Sequence, residues 1–293
     1  MTKPDGSGAA IEQLEIKAGS YVFEARVAGP EDGRLVLLLH GFPQTSYSWR
    51  GVLGALGAAG YRAVAPDLRG YSPGARPPEV EAYAIEHLGA DVLALADELG
   101  GHRFDLVGHD WGAGVAWYVA GRWPGRVRTL TSLSVPHPLA MGAAMRGELG
   151  GDQPERSWYV DFFRQEGGAA EDVFLANDGA QLRGMWAKLG EGAVEEYARV
   201  LVSDRAALTA ALNYYRANDL KAGIDVPPIE VPTLFVWSTE DIAIGREGAE
   251  ATAGYVREPY RFDVLQGVDH WIPESAPERV SALLQEHLAA HGH

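Results

Sequence analysis

The chain of 293 residues contains no cysteine. Disulfides, thiolate nucleophiles and zinc–thiolate sites are therefore excluded, and a reducing compartment is the natural setting, so a cytoplasmic protein is expected. Positive charge is scarce: 25 Lys and Arg against 40 Asp and Glu leave a formal net charge of −15. Nucleic acid and anionic membrane surfaces both demand basic patches, so neither is expected as a partner. No apolar run approaches the roughly 20 residues of a membrane-spanning helix. The start, Met1-Thr2-Lys3-Pro4-Asp5-Gly6-Ser7-Gly8, has no signal-like apolar segment and reads as a flexible tail. Internal repeats and low-complexity tracts are lacking too. What is present, 46% hydrophobic and 22% charged residues, is ordinary for a soluble globular chain that buries one large core and carries a sizeable insertion.

Short apolar runs recur with helical stretches between them. Strands are expected at residues 35–39, 61–65, 104–107, 127–135, 233–237 and 261–265. Helices are expected at 84–99, stopped by Gly100-Gly101, at 112–123, stopped by Pro124, near 245–253, and at 277–290, with Pro277 suited to a first turn. This alternation implies an α/β fold with a mostly parallel sheet. Residues 136–228 break the pattern. They are rich in Gly, Ala, Trp, Tyr and Glu and read as helices inserted between two core strands. The expected organisation is a discontinuous core, 1–135 and 229–293, with a helical cap at 136–228.

The residues with most chemical content are Gly108-His109-Asp110-Trp111-Gly112, between a strand and a helix. The pattern is that of a nucleophile elbow, G-x-S-x-G, with aspartate in the serine position. A carboxylate attacks carbon by displacement and leaves an alkyl ester, whereas a serine leaves an acyl ester. Read alone, Asp110 is equally an N-cap of the following helix. The spacing of Gly108, Gly112 and Gly114 does not fit a dinucleotide loop. Asp241 follows the 233–237 strand and His270 follows the next, giving the order nucleophile, acid, histidine. Glu240 and Asp269 compete for the acid role, and Asp241 is preferred. After the first strand, His40-Gly41-Phe42-Pro43 forms a turn that can set the Phe42 N–H beside that of Trp111 as an oxyanion hole. His40 itself reads as a structural hydrogen-bonding residue. His287 and His291 share a helix face without further ligands, so they read as a solvated helix end and no metal is expected.

His40-Gly41-Phe42-Pro43, Asp67-Leu68-Arg69-Gly70-Tyr71, Gly108-His109-Asp110-Trp111-Gly112 and Gly267-Val268-Asp269-His270-Trp271 together resemble the α/β-hydrolase-fold epoxide hydrolases and their haloalkane dehalogenase relatives, from about Glu15 to Leu288. The resemblance implies an eight-stranded, mostly parallel sheet with flanking helices and an inserted helical cap. It implies a hydrolase acting on ether bonds, with Asp110 as nucleophile, His270 as general base and Asp241 orienting it. It implies no cofactor, a monomer or homodimer, and a small apolar epoxide bound near Trp111, Phe42 and Pro43. In that family two cap tyrosines donate hydrogen bonds to the epoxide oxygen. Ser157-Trp158-Tyr159-Val160-Asp161-Phe162-Phe163 and Asn213-Tyr214-Tyr215-Arg216 resemble their contexts, which points to Tyr159 and Tyr215, with Tyr214 competing for the second place. Haloalkane dehalogenases pair the indole after the nucleophile with a second nitrogen donor, often an asparagine after the His-Gly pair, where this chain has Phe42. A dehalogenase and a non-catalytic ligand sensor of the same fold are the alternatives. Gln44 departs from the glutamate that often follows His-Gly-x-Pro.

Overall fold

The computed structural model describes residues 8–292, so residues 1–7 of the expected tail lie outside the described residues. Among the described residues, eight strands form one sheet: β1 (Ile11–Ala18), β2 (Tyr21–Ala28), β3 (Arg34–Leu39), β4 (Tyr61–Pro66), β5 (Phe104–His109), β6 (Val127–Leu133), β7 (Thr233–Glu240) and β8 (Tyr260–Asp269). Their order is β1-β2-β4-β3-β5-β6-β7-β8. β1 and β2 form an antiparallel hairpin at one edge, and β2 meets β4 antiparallel; every pairing from β4 onward is parallel. The hairpin has no place in the six strands read from apolar runs, because β1 is exposed over most of its length and alternates charged with apolar residues.

The central strands are apolar on both faces, as burial between two helical layers requires. Leu37, Leu39 and Leu106 enter one core cluster, while Val36, Leu38 and Val107 enter the cluster on the opposite face. The boundary of β6 is shorter than the apolar run suggests. The strand stops at Leu133 because Ser134 turns the chain at φ 71°. β7 and β8 are each longer than expected and end directly before Asp241 and His270.

The order in which strands are added to the sheet reverses between β3 and β5, the crevice where open α/β sheets bind ligands at their carboxyl ends. Register then decides which residues meet there. Leu39 lies opposite Gly108, so the turn after β3 sits beside Asp110. An irregularity after Ser238 brings Glu240 opposite Asp269, which makes Asp241 and His270 neighbours.

Between β6 and β7 the chain is helical, including Pro138–Met145, Trp158–Phe163, Ala169–Trp186, Glu191–Leu201 and Arg205–Ala217. These helices lie over the carboxyl edge and are tied to the sheet by polar contacts. Arg156 Nη1 donates to the Asp241 carbonyl at 2.6 Å, Tyr197 Oη to Glu274 Oε2 at 2.7 Å, and Tyr214 Oη to the Arg69 carbonyl at 2.8 Å. The last helix, Pro277–Ala290, has the expected bounds, but its end is not solvated at His287. That ring is buried against the core, and burial pushes its pKa down to about 4.

Candidate active site

Asp110 occupies the turn between β5 and the helix Trp111–Arg122, at φ 51° and ψ −120°. This is a conformation that a residue with a Cβ adopts only under strain from its surroundings. The N-cap alternative fails, since the side chain makes no hydrogen bond to its own helix. Close approach explains the glycines. A Cβ on Gly108 would stand 2.2 Å from the Gly112 carbonyl oxygen, and one on Gly112 would stand 2.2 Å from that of Leu39. Gly41 is just as constrained, because its Cβ would fall 2.3 Å from that of Asp110.

The carboxylate is divided between two tasks. Its Oδ1 accepts the Phe42 N–H at 2.8 Å, while Oδ2 lies 3.5 Å from His270 Nε2. Trp111 opens the helix, so its amide belongs to the first turn, whose N–H groups have no intrahelical acceptor. On the far side of the imidazole, His270 Nδ1 meets Asp241 Oδ1 at 2.9 Å and Oδ2 at 3.1 Å. Asp241 also accepts the amides of Ala243 and Ile244 at 2.9 and 3.0 Å. The competing acids are placed elsewhere. Glu240 is exposed, and Asp269 caps the next turn by accepting from Trp271 N–H and Ser275 Oγ.

The three groups are buried and their ionisation is coupled. For His270, burial alone lowers the pKa, but the charge of Asp241 and the contacts with Asp110 outweigh it and raise the pKa to about 10. Burial pushes both carboxyls up; His270, together with hydrogen-bond donors such as the Phe42 amide on Asp110 and the Ser134 hydroxyl on Asp241, more than reverses this, so both are held below the usual carboxylate range. The directions of these shifts favour an imidazolium between two carboxylates. His109 runs the other way: buried beside His270, it is pushed down to about 4, and its Nε2 lies 2.8 Å from the His270 carbonyl oxygen. His40 is structural as expected, with Nε2 accepting the Leu68 N–H at 3.0 Å and Nδ1 facing the Gly41 carbonyl.

A slender cavity of about 50 Å³ opens over Asp110. Tyr159 and Tyr215 reach it from the inserted helices, and Trp111 lines its floor. Burial is the chief cause that raises the pKa of both phenols, and the Asp110 charge adds to it, so both stay protonated and able to donate. Tyr214 is not in the cavity; its hydroxyl is spent on the Arg69 carbonyl. Two expected lining residues are displaced. The Phe42 ring packs on Phe163 and Phe174 with centroids 5.5 and 6.1 Å away, and Pro43 is buried beside it. Neither faces the cavity, because aromatic packing closes that side.

The alpha/beta hydrolase fold model matches residues 34–277. Epoxide hydrolase A of Mycobacterium tuberculosis is 32% identical, with 96% of this chain and 98% of that protein aligned. The chain belongs to the α/β-hydrolase fold family, among its epoxide hydrolases. Epoxide hydrolase 4 of Mus musculus is 32% identical over 92% of this chain and 77% of its own length. Among solved structures, epoxide hydrolase A from Mycobacterium thermoresistibile superposes with a TM-score of 0.80 at 28% identity, covering 96% of this chain and 98% of that one. A single-residue mutant of an epoxide hydrolase from Bacillus megaterium, complexed with its product (R)-3-[1]naphthyloxy-propane-1,2-diol, gives 0.83 at 26% identity over 94% of this chain and 100% of its own.

In this epoxide hydrolase, one residue of the candidate site escapes the sequence motifs. Ser134 Oγ donates to Asp241 Oδ2 at 2.7 Å and lies 3.2 Å from His270 Nδ1. Its place directly after a core strand is the signal that could have found it, since Asp110, Asp241 and His270 all share that placement.

Proposed function

We propose that this epoxide hydrolase converts a small apolar epoxide and water to a vicinal diol through a covalent hydroxyalkyl ester on Asp110. The observation that carries the proposal is the split role of the carboxylate: Oδ1 is held by the Phe42 amide, while Oδ2 is left on the His270 side. Residues 136–228 act as the cap that brings Tyr159 and Tyr215 over it. The B. megaterium product complex supports an aryl-bearing substrate, as does the apolar cavity wall. The cysteine-free sequence supports a cytoplasmic location.

Tyr159 and Tyr215 donate to the epoxide oxygen and Asp110 Oδ2 attacks a ring carbon. The ring C–O bond breaks, and one phenol supplies the proton of the new hydroxyl. Esterification removes the negative charge of Asp110, and with it part of what holds His270 protonated. The imidazolium then yields its proton to restore the phenol and becomes a neutral base. It takes a proton from water, whose oxygen adds to the ester carbonyl carbon. Negative charge grows on Oδ1, already at the Phe42 amide and beside that of Trp111; such a donor contributes ~3 kcal/mol to barrier lowering. Collapse breaks the ester C–O bond, the diol oxygen takes the proton from His270, and the Asp110 acid then returns one to the imidazole. Asp241 keeps the ring oriented throughout.

Single turnover in heavy-oxygen water tests this. One heavy oxygen should appear in the peptide containing Asp110 and none in the first-turnover diol. Label in the diol alone would mean direct attack by water and would sink the ester.

A further inference from the structure

Beyond the reacting groups, the residues that line the cavity among those described cluster to one side of Asp110. The cavity wall there comes from residues after β6 and β7, namely Val135, Pro138, Met141 and Ile244, and from Leu220 and Ile224 beyond the Tyr215 helix. In the sheet, β6 is the neighbour of β5 on one side and β3 on the other. Across the β3 side, Phe42, Phe163 and Phe174 form a closed triangle of rings, with Phe163 and Phe174 centroids 5.3 Å apart. Tyr215 packs on this triangle between it and the cavity lining, edge-on to Phe42 at 5.6 Å and to Phe163 at 5.1 Å, so the triangle sets where the Tyr215 ring stands. All three phenylalanines are buried.

We infer that the substrate is a terminal, singly substituted epoxide, whose one apolar group lies along the β6–β7 side while its bare CH₂ faces the phenylalanine wall. The inference rests on the proposed roles of Asp110 and the two tyrosines. These fix the epoxide oxygen above and one ring carbon below. A trans-1,2-disubstituted epoxide bound in that pose sends its second substituent to the β3 side, where packed rings leave no room. Phe174 is then a specificity-determining residue: it comes from the insertion, lies in the triangle and touches neither the carboxylate nor the phenols' cavity face.

The test compares kcat/KM for styrene oxide and trans-1-phenylpropylene oxide, which differ by one methyl on the second carbon. The wild-type protein should favour styrene oxide by at least about tenfold, in the range one mis-sized methyl commands. Phe174→Ala should shrink that ratio severalfold by opening the wall. Phe174→Leu, which keeps most of the core volume, should shrink it in the same direction if the alanine variant fails to fold. Equal turnover of both epoxides by the wild type, or an unchanged ratio in a folded variant, overturns the one-sided site while leaving the Asp110 ester intact. No turnover of either epoxide, with no ester on Asp110 by intact mass, overturns the nucleophile assignment and this inference together.

Discussion

On the sheet edge, each polar group of the proposed triad is tied by hydrogen bonds or opposite charge. Asp110 Oδ1 has the Phe42 amide, His270 sits between two carboxylates, and Asp241 accepts from Ser134, Ala243, Ile244 and His270. Above it, Tyr159 and Tyr215 are tied by ring packing: Tyr159 against Phe163 at 5.2 Å, and Tyr215 against Trp111 at 5.1 Å. The contrast follows from charge. A buried ion left without partners costs several kcal/mol, so these three charged groups must be saturated. A neutral phenol can be fixed by its ring while its O–H remains for a ligand. Tyr214 shows the opposite choice one residue earlier, with its hydroxyl consumed by a main-chain carbonyl.

The largest effect should come from breaking the saturated half. Asp110→Asn is expected to lower kcat by about 10⁴-fold or more, as loss of a triad member does elsewhere. It should also lower the pKa of His270 from about 10, since one of its two anionic neighbours is gone. Imidazole NMR titration reads the second outcome independently of activity. Full turnover in this variant, or an unmoved titration, would break the electrostatic account.

The packed half should respond differently. Tyr159→Phe with Tyr215→Phe removes both donors and leaves ring packing and triad intact, so a loss of ~10³-fold in ester formation is expected, with little change in melting temperature. Tyr214→Phe should do the reverse: near-normal rate constants, and a stability loss of about 1 kcal/mol for the unpaired Arg69 carbonyl. Stopped-flow burst kinetics and thermal unfolding separate the two. A Tyr214 variant with the larger kinetic defect would exchange the assignments.

The same contrast explains what is legible in the sequence. Strand-end groups such as Asp110, Asp241 and His270 recur at a fixed chain grammar, apolar strand then polar residue, and register in a parallel sheet carries that order into space. The glycine at 41 is visible in the chain, but its reason is not, since only the structure brings it against Asp110 Cβ. Pattern does not separate Tyr215 from Tyr214, because the difference lies in which hydroxyl finds a carbonyl. The family resemblance points Phe42 and Pro43 to the substrate wall. Their actual role depends on Phe163 and Phe174, more than a hundred residues away in the chain.

Ser134 probes how much saturation the triad needs. Ser134→Ala should cost roughly tenfold in kcat, within what one hydrogen bond to a buried charge supplies. The pH dependence has a defined sign. Asp241 is depressed in the folded state, so its contribution to stability is present above its unfolded value and lost as pH falls through the folded one. Removing the Ser134 donor raises the folded value, so the acid limb of both stability and activity should move to higher pH. Ser134→Gly relieves the backbone at φ 71° and deletes the same hydroxyl. If both variants lose activity alike, the hydroxyl is the cause; recovery in the glycine variant alone would assign the effect to backbone strain.

The smallest effects should come from the two acids that share the sequence neighbourhood of the triad but not its geometry. Glu240 is exposed and Asp269 is engaged in capping, accepting from Ser275 Oγ at 2.7 Å. Glu240→Gln should change kcat/KM by less than about twofold, the range of ordinary surface substitutions. Asp269→Asn keeps an acceptor for the cap and should do little more. Asp241→Asn, by contrast, removes the charge that most raises the His270 pKa. With the imidazole pKa lowered, the variant should retain a neutral base yet lose its orientation and the stabilisation of the imidazolium. A rate loss at all pH values, rather than a simple shift of the profile, would mark Asp241 as the partner. A comparable loss in Glu240→Gln would mean that the loop after β7 rearranges in solution to present a different carboxylate.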